Sequence, residues 1–171
     1  MRISKNLQHI LAAATVAALF AGCALYQLGT TLPPHLRTVS LTTFKNVSDE
    51  PQIETTIASE TLREFQRDGQ LRIKDADEAD ILLTGEILLY RLDPVRADRN
   101  NPKSTLEYKA IIQTHVIARE RKTGKVIVDQ TLTGNKNIDG TGDLMSARRN
   151  VLPEVSRDLA RKIVDAVISA W

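Results

Sequence analysis

Residues 106–132 read LEYKAIIQTHVIARERKTGKVIVDQTL, and the order of apolar and polar side chains along this stretch decides the fold. Leu106, Tyr108, Ala110, Ile112, Thr114, Val116 and Ala118 alternate with Glu107, Lys109, Gln113, His115 and Arg119. A period of two puts each set on its own face of a β-strand. Lys122-Thr123-Gly124-Lys125 is a tight turn, and Val126, Val128, Gln130 and Leu132 then resume the alternation. Two such runs about a short glycine turn predict a β-hairpin.

Upstream of the hairpin, Ile81 to Leu92 is apolar on both alternating sets, as expected of a strand in the middle of a sheet. Asp93 to Ser104, with two prolines and Asn100-Asn101, reads as a loop. Leu71 to Lys74 is a short strand followed by the acidic turn Asp75 to Asp80. Ile53, Ile57, Ala58, Leu62 and Phe65 recur at spacings of three and four, which predicts an amphipathic helix. Ser48 or Asp49 is its expected cap, Pro51 lies in the first turn, and Gly69 takes the left-handed position after its end. Arg37 to Lys45 is the first strand. Downstream, Asn135 to Asp143 is a polar, glycine-containing loop. Leu152, Val155, Leu159, Ile163, Ala166, Val167 and Ala170 line one face of a last helix, with Pro153 in its first turn or kinking it.

The order is β-α-β-β-β-α with a minor strand after the first helix. It predicts an α+β, two-layer sandwich: a mixed four-stranded sheet with two helices on one face. Strands joined through a helix cross over right-handedly, so the first strand and Ile81 to Leu92 should be parallel.

The N-terminus belongs to a different chemistry. Arg2 and Lys5 precede an apolar run from Ile10 to Ala21, roughly half the ~20 residues a transmembrane helix needs. Phe20-Ala21-Gly22-Cys23 follows, with small residues ahead of the one cysteine in the chain. This pattern is a secretory signal peptide, and its end resembles the bacterial lipobox, in which the cysteine becomes the acylated first residue. Phe20 stands where a lipobox usually has Leu, Val or Ile. The competing reading is an ordinary signal peptide followed by a buried free thiol. The expected organisation is therefore a signal peptide over 1–22, a lipidated tether over 23–34 and one domain over 35–171.

Of 23 Lys+Arg, removal of Arg2 and Lys5 leaves 21 against 21 Asp+Glu. A neutral chain has no long-range attraction for nucleic acid, so no nucleic-acid partner is expected. With a single cysteine there is no internal disulfide and no cysteine-rich zinc site. G-x-S-x-G, H-E-x-x-H and Walker sequences are missing, and His115 falls on the polar set of its strand. No enzymatic activity, cofactor or metal is expected. Asn135, Asn137, Asp139, Gly140 and Asp143 imitate the spacing of a calcium loop, but Ser146 stands where the bidentate Glu is required.

Several segments together resemble the LptE-type lipopolysaccharide-assembly lipoproteins. They are Cys23-Ala24-Leu25-Tyr26-Gln27-Leu28-Gly29, Leu32-Pro33, and Val39 to Phe44 with Asn46. Phe65-Gln66-Arg67-Asp68-Gly69, Ala79-Asp80-Ile81-Leu82-Leu83-Thr84-Gly85 and Glu107-Tyr108 complete the set. Family members usually carry Gly after the acylated cysteine, where this chain has Ala24. The resemblance implies a lipoprotein of the outer membrane, lipid-anchored at Cys23 and facing the periplasm or a barrel lumen. It also implies a plug and partner for the LptD β-barrel that inserts lipopolysaccharide. LpoB-type lipoprotein activators of peptidoglycan synthases share a similar β-α-β-β pattern and are the alternative.

Two candidate surfaces follow from the topology. Arg96, Arg99 and Lys103 on one loop, with Lys136, Arg148 and Arg149 near another, fall at the end of the sheet away from the anchor. Such a cluster suits the phosphates of lipopolysaccharide. On the face opposite the helices, Leu82, Leu88, Tyr90, Ile111 and Ile117 form a candidate partner surface.

Overall fold

The 106–132 stretch becomes the antiparallel half of one sheet. A computed structural model describes residues 32–42, 44–97, 105–140 and 143–171 of the chain. The strands are β1 Thr38–Leu41, β2 Lys45–Asn46, β3 Arg72–Ile73, β4 Ile81–Ala97, β5 Thr105–Glu120 and β6 Val126–Asp139. The helices are α1 Ile53–Asp68 and α2 Leu144–Ile168. The sheet order is β3-β1-β4-β5-β6, and β2 also pairs with β4. β1 and β2 run parallel to β4 while β4-β5-β6 is an antiparallel meander, so the sheet is mixed, as expected. It has six strands rather than four. β3 joins as a two-residue edge, and the predicted first strand is divided in two.

That division has a packing cause. Leu41 pairs with Leu83 and Lys45 with Glu86, so three intervening residues on one strand match two on the other. The extra length turns the buried Phe44 ring onto Gly85, where a Cβ would collide with the ring. Gly85 is the gap that ring fills.

Each helix buries a stripe against the sheet and against the other. On α1 the buried positions are Ile53, Ile57, Glu60, Thr61, Glu64 and Phe65. On α2 they include Val155, Leu159, Ile163 and Val167. Val39, Ile81, Leu83, Ile87, Ala110, Ile112, Val116 and Ala118 complete the core from the strands. Gly69 ends α1 in the left-handed conformation (φ 75°), its N–H donating to the Phe65 carbonyl. The start of α1 differs from expectation. Its cap is Gln52 at φ 64°, not Ser48 or Asp49. Asn46 occupies Ser48 instead: its Oδ1 accepts from the Ser48 N–H (2.9 Å) and hydroxyl (2.7 Å), and its Nδ2 donates to Glu54.

Two predicted loops begin as strand. β4 continues to Ala97 and β6 to Asp139, so the meander outruns the rest of the sheet. β2 ends opposite Ile87, where the Val47 N–H donates to the Ile87 carbonyl. Beyond it β4 is hydrogen-bonded to β5 on one side, and an edge of that kind tolerates Pro94, which has no N–H.

Helix α2 starts earlier than its apolar stripe suggests. Asp143 caps it, accepting from the N–H groups of Met145 (3.2 Å) and Ser146 (3.1 Å). Pro153 therefore lies in the third turn, where it has no N–H to offer the Arg149 carbonyl. On that turn the Tyr90 hydroxyl donates to the neighbouring Arg148 carbonyl at 2.6 Å. α2 lies tight on β6. A Cβ on Gly134 would come 2.6 Å from Leu159 Cβ and 2.7 Å from the Val155 carbonyl. Either side of Gly134, Asp158 accepts the Asn135 N–H (2.9 Å) and Lys162 donates to the Thr133 carbonyl (2.7 Å).

At the opposite end Asp80 clasps the start of β1. One carboxylate oxygen accepts from the Arg37 N–H, the Thr38 N–H and the Thr38 hydroxyl at 3.0, 3.1 and 2.7 Å. Leu32 is buried in the core.

Candidate functional site

The extended end of the meander and the uncovered sheet face are the two surfaces to assess. Cys23, Arg99 and Lys103 lie outside the described residues. The remaining basic residues do not form one converging patch. Lys136 pairs with Ala110, whose side chain is buried under the helices, and its ammonium reaches α2 to meet Glu154 at 2.8 Å. Arg96, near the end of β4, faces Glu107 on β5 at 3.6 Å. Arg149 is exposed and donates to the Ser146 hydroxyl at 3.3 Å.

Arg148, expected in the binding cluster, is engaged within the fold. Its side chain is 24% exposed, and its Nε donates to a Glu50 carboxylate that is 17% exposed, at 2.8 Å. A second guanidinium nitrogen donates to the Tyr90 carbonyl at 3.2 Å, and the group lies 4.5 Å from the centre of the Tyr90 ring. The loop before α1, the middle of β4 and the first turns of α2 meet at this one side chain. Burial pushes the Tyr90 hydroxyl up to about 12, against the pull of Arg148 and with a contribution from Glu50.

Tyr90 does not lie where the alternation of β4 placed it. It is 6% exposed and belongs to the core, not to the uncovered face. The cause is a β-bulge at Leu88: Ile87 pairs with Thr114, and Leu89 with Gln113. One extra residue shifts the alternation, so Ile81, Leu83 and Ile87 face the helices before the bulge and Tyr90 after it. Leu82, Ile111 and Ile117 are partly exposed beside buried neighbours, on the side away from the helices, and Leu88 is exposed at the bulge. Polar pairs cross the same face. Lys45 and Glu86 are 2.6 Å apart, and His115 Nε2 is 2.7 Å from Asp129. The face is amphipathic rather than greasy.

At the extended end, Arg96, Leu106, Glu107, Asn137, Ile138 and Asp139 line an open groove of about 380 Å³. Asn137 Nδ2 donates to Glu107 Oε1 at 2.9 Å and fixes that carboxylate from one side. Glu50, Glu107 and Glu154 escaped the sequence argument. Finding them required knowing that both loops begin as strand and that α2 begins at Leu144. Among the described residues no group of three His, Cys, Asp or Glu side chains is placed to hold a metal. Among them, too, no helix is long and apolar enough to cross a membrane.

Comparison with known proteins agrees with this architecture. Similar solved structures include a protein from Xanthomonas campestris, with a TM-score of 0.58 at 9% identity over 84% of this chain and 93% of that one. A hypothetical protein from Chlamydia trachomatis scores 0.57 at 11% identity, covering 78% and 96%. A minor lipoprotein from Acinetobacter baumannii scores 0.52 at 16% identity, covering 78% and 94%. At these identities the likeness is one of fold. No curated protein sequence matches. The family model for LptE, lipopolysaccharide assembly, matches residues 36–167, which is nearly all of the folded region just described. The chain belongs to the LptE lipopolysaccharide-assembly family.

Proposed function

We propose that this protein is an outer-membrane lipoprotein that partners and plugs an LptD-like β-barrel and assists lipopolysaccharide transport and assembly. The observation that carries the reading is the family match over residues 36–167. The family gives a lipopolysaccharide-assembly role in the cell envelope, and the proposal adds the anchor, the membrane and the partner. Residues 1–22 act as the signal peptide, Cys23 carries the acyl chains, and the residues that follow tether the domain to the lipid surface. One acyl chain gives only marginal membrane binding, whereas two or more hold firmly.

In this reading the chain works by binding and not by catalysis. Lys136 and Arg149, with Arg96, Arg99 and Lys103, supply cations for the phosphates of lipopolysaccharide, and Arg148 stays in the fold. Leu82, Leu88, Ile111 and Ile117 contribute to the surface that meets the barrel wall. The amphipathic mixture on that face suits a barrel lumen, whose wall is polar.

Affinity purification of the full-length protein from membranes tests the proposal. Recovery of a large outer-membrane β-barrel is the expected result, with labelled fatty acid incorporated into the wild type and absent from Cys23→Ala. Recovery of a peptidoglycan synthase, with stimulated glycan polymerisation, would overturn it in favour of an LpoB-like activator.

A further inference from the structure

Two cations at the extended end, one on each face of the meander, are already engaged by carboxylates from other elements. Lys136 on β6 holds Glu154 of α2 at 2.8 Å, and Arg96 on β4 faces Glu107 of β5 at 3.6 Å. Both pairs are open to water. The two partners of the first are 49% and 51% exposed, and those of the second 66% and 30%. This sets them apart from Arg148 and Glu50, which are locked by burial and by Tyr90. Hydrogen bonding to Lys136 holds the Glu154 carboxyl below its ordinary range, as a formed pair requires. Glu107 is held independently of Arg96, because its other oxygen accepts from Asn137 Nδ2.

A phosphate that reaches Lys136 or Arg96 therefore meets an occupied cation. It must displace a carboxylate, and the displaced negative charge stays a few ångströms away. We infer that Glu154 and Glu107 are built-in competitors that weaken the hold of this end on a phosphate-bearing anionic amphiphile and speed its release. The ligand class follows from the cations together with Leu106 and Ile138, the two apolar residues of a groove that Arg96, Glu107, Asn137 and Asp139 otherwise line. A protein that hands its ligand onward needs release as much as capture, and this inference rests on the lipopolysaccharide-binding reading above.

The test uses the full-length protein and vesicles containing purified lipopolysaccharide, measuring equilibrium binding and dissociation rate at low and high salt. Glu154→Gln and Glu107→Gln keep side-chain volume and an acceptor oxygen while removing the charge. Exposed ion pairs are weak, so each change should tighten binding a few-fold and the pair about tenfold, mainly through slower dissociation. The gain should shrink in high salt, where screening acts over roughly 10 Å or less. Glu78→Gln is the control of equal charge, since Glu78 pairs with Lys74 on the acidic turn at the other end of the sheet. Inorganic phosphate as competitor separates the sources: it should displace the vesicles weakly if the lipid headgroup is the ligand. Equal tightening by Glu78→Gln would reduce the effect to net charge and overturn the inference. So would wild-type affinity in the double Gln variant, provided Lys136→Ala with Arg96→Ala weakens binding. If that Ala pair binds as wild type does, the lipopolysaccharide site itself is refuted and the competitors with it. Melting curves of the Gln variants should match the wild type, which keeps altered binding separate from altered folding.

Discussion

Replacing Arg148 by alanine should destabilise the domain far more than it affects any ligand. The guanidinium makes a charge-assisted bond to Glu50 at 2.8 Å, a bond to the Tyr90 carbonyl at 3.2 Å and a ring contact at 4.5 Å. Hydrogen bonds to charged groups contribute about 1.5–3 kcal/mol, and a partly desolvated cation–ring contact about 0.5–1 kcal/mol. The pair keeps some exposure, so the lower half of each range applies, and the Glu50 bond and the ring contact alone give about 2–3 kcal/mol, the Tyr90 carbonyl being left to water once the side chain is gone. Part of that cost is the Glu50 carboxylate left without its partner, at 17% exposure. For a domain of this size, 1 kcal/mol moves the melting temperature by roughly 3–5 °C, so a drop of about 6–15 °C is expected. Thermal unfolding followed by circular dichroism measures it. A double-mutant cycle with Glu50→Gln isolates the pair: Arg148→Ala should cost clearly less in the Glu50→Gln background. Lys136→Ala, which breaks a solvent-exposed pair, should scarcely move the transition. Refutation would be an Arg148→Ala variant that melts like the wild type yet loses lipopolysaccharide. That result would return Arg148 to the binding surface and show the Glu50 contact to be incidental.

Gly134→Ala should push α2 off β6, because the new methyl would sit 2.6 Å from Leu159 Cβ. Overpacking of this kind costs about 1–3 kcal/mol, readable as a lower denaturant midpoint. Leu159→Ala should cost about 2–5 kcal/mol, while Arg161→Ala on the exposed side should be neutral in the same titration. Arg157 is not a neutral control, since its guanidinium reaches the buried Glu60 carboxylate at 3.4 Å. Burial pushes the Asp80 carboxyl up, but the bonds it accepts from Arg37 and Thr38 outweigh that and leave it lowered. A lowered folded-state value gives stability that is present above the ordinary carboxylate range and lost as pH falls through the folded value. Melting temperature against pH should therefore fall steeply below about pH 4 in the wild type. Asp80→Asn should melt lower at pH 7 and show a shallower acid limb; parallel curves would exclude Asp80 as a source of the acid sensitivity.

The elements legible in the sequence were those whose periodicity reports directly on burial. The hairpin alternation, the α1 stripe, the Gly69 stop and the parallel pairing of β1 with β4 all arise from local pattern or from chain handedness. What escaped was non-local. A bulge at Leu88 leaves no trace in a run that is apolar on both sets, so the phase shift that buries Tyr90 could not be read from Ile81 to Leu92. Pro94 and the polar run after Thr133 look like loop because propensity describes an average strand. Here an open edge tolerates the proline, and α2 side chains satisfy the β6 backbone. The candidate site suffered for the same reason. Arg148 looks like a free loop cation until α2 is seen to begin at Leu144, which brings it beside Glu50 and the Tyr90 ring.

The treatment of the sheet margins has a consequence for how the molecule behaves among its own copies. A bare strand edge is a template on which another chain can polymerise. On β6, Asp158 and Lys162 occupy the outward N–H of Asn135 and carbonyl of Thr133, as an incoming strand would. On β4, Arg148 caps the Tyr90 carbonyl, and Pro94 withholds an N–H a few residues further on. Edge-to-edge growth therefore meets an obstacle on both flanks of the long meander. Lys162→Ala with Asp158→Ala reopens the β6 flank, so the first symptom of losing these side chains should be self-association at high concentration.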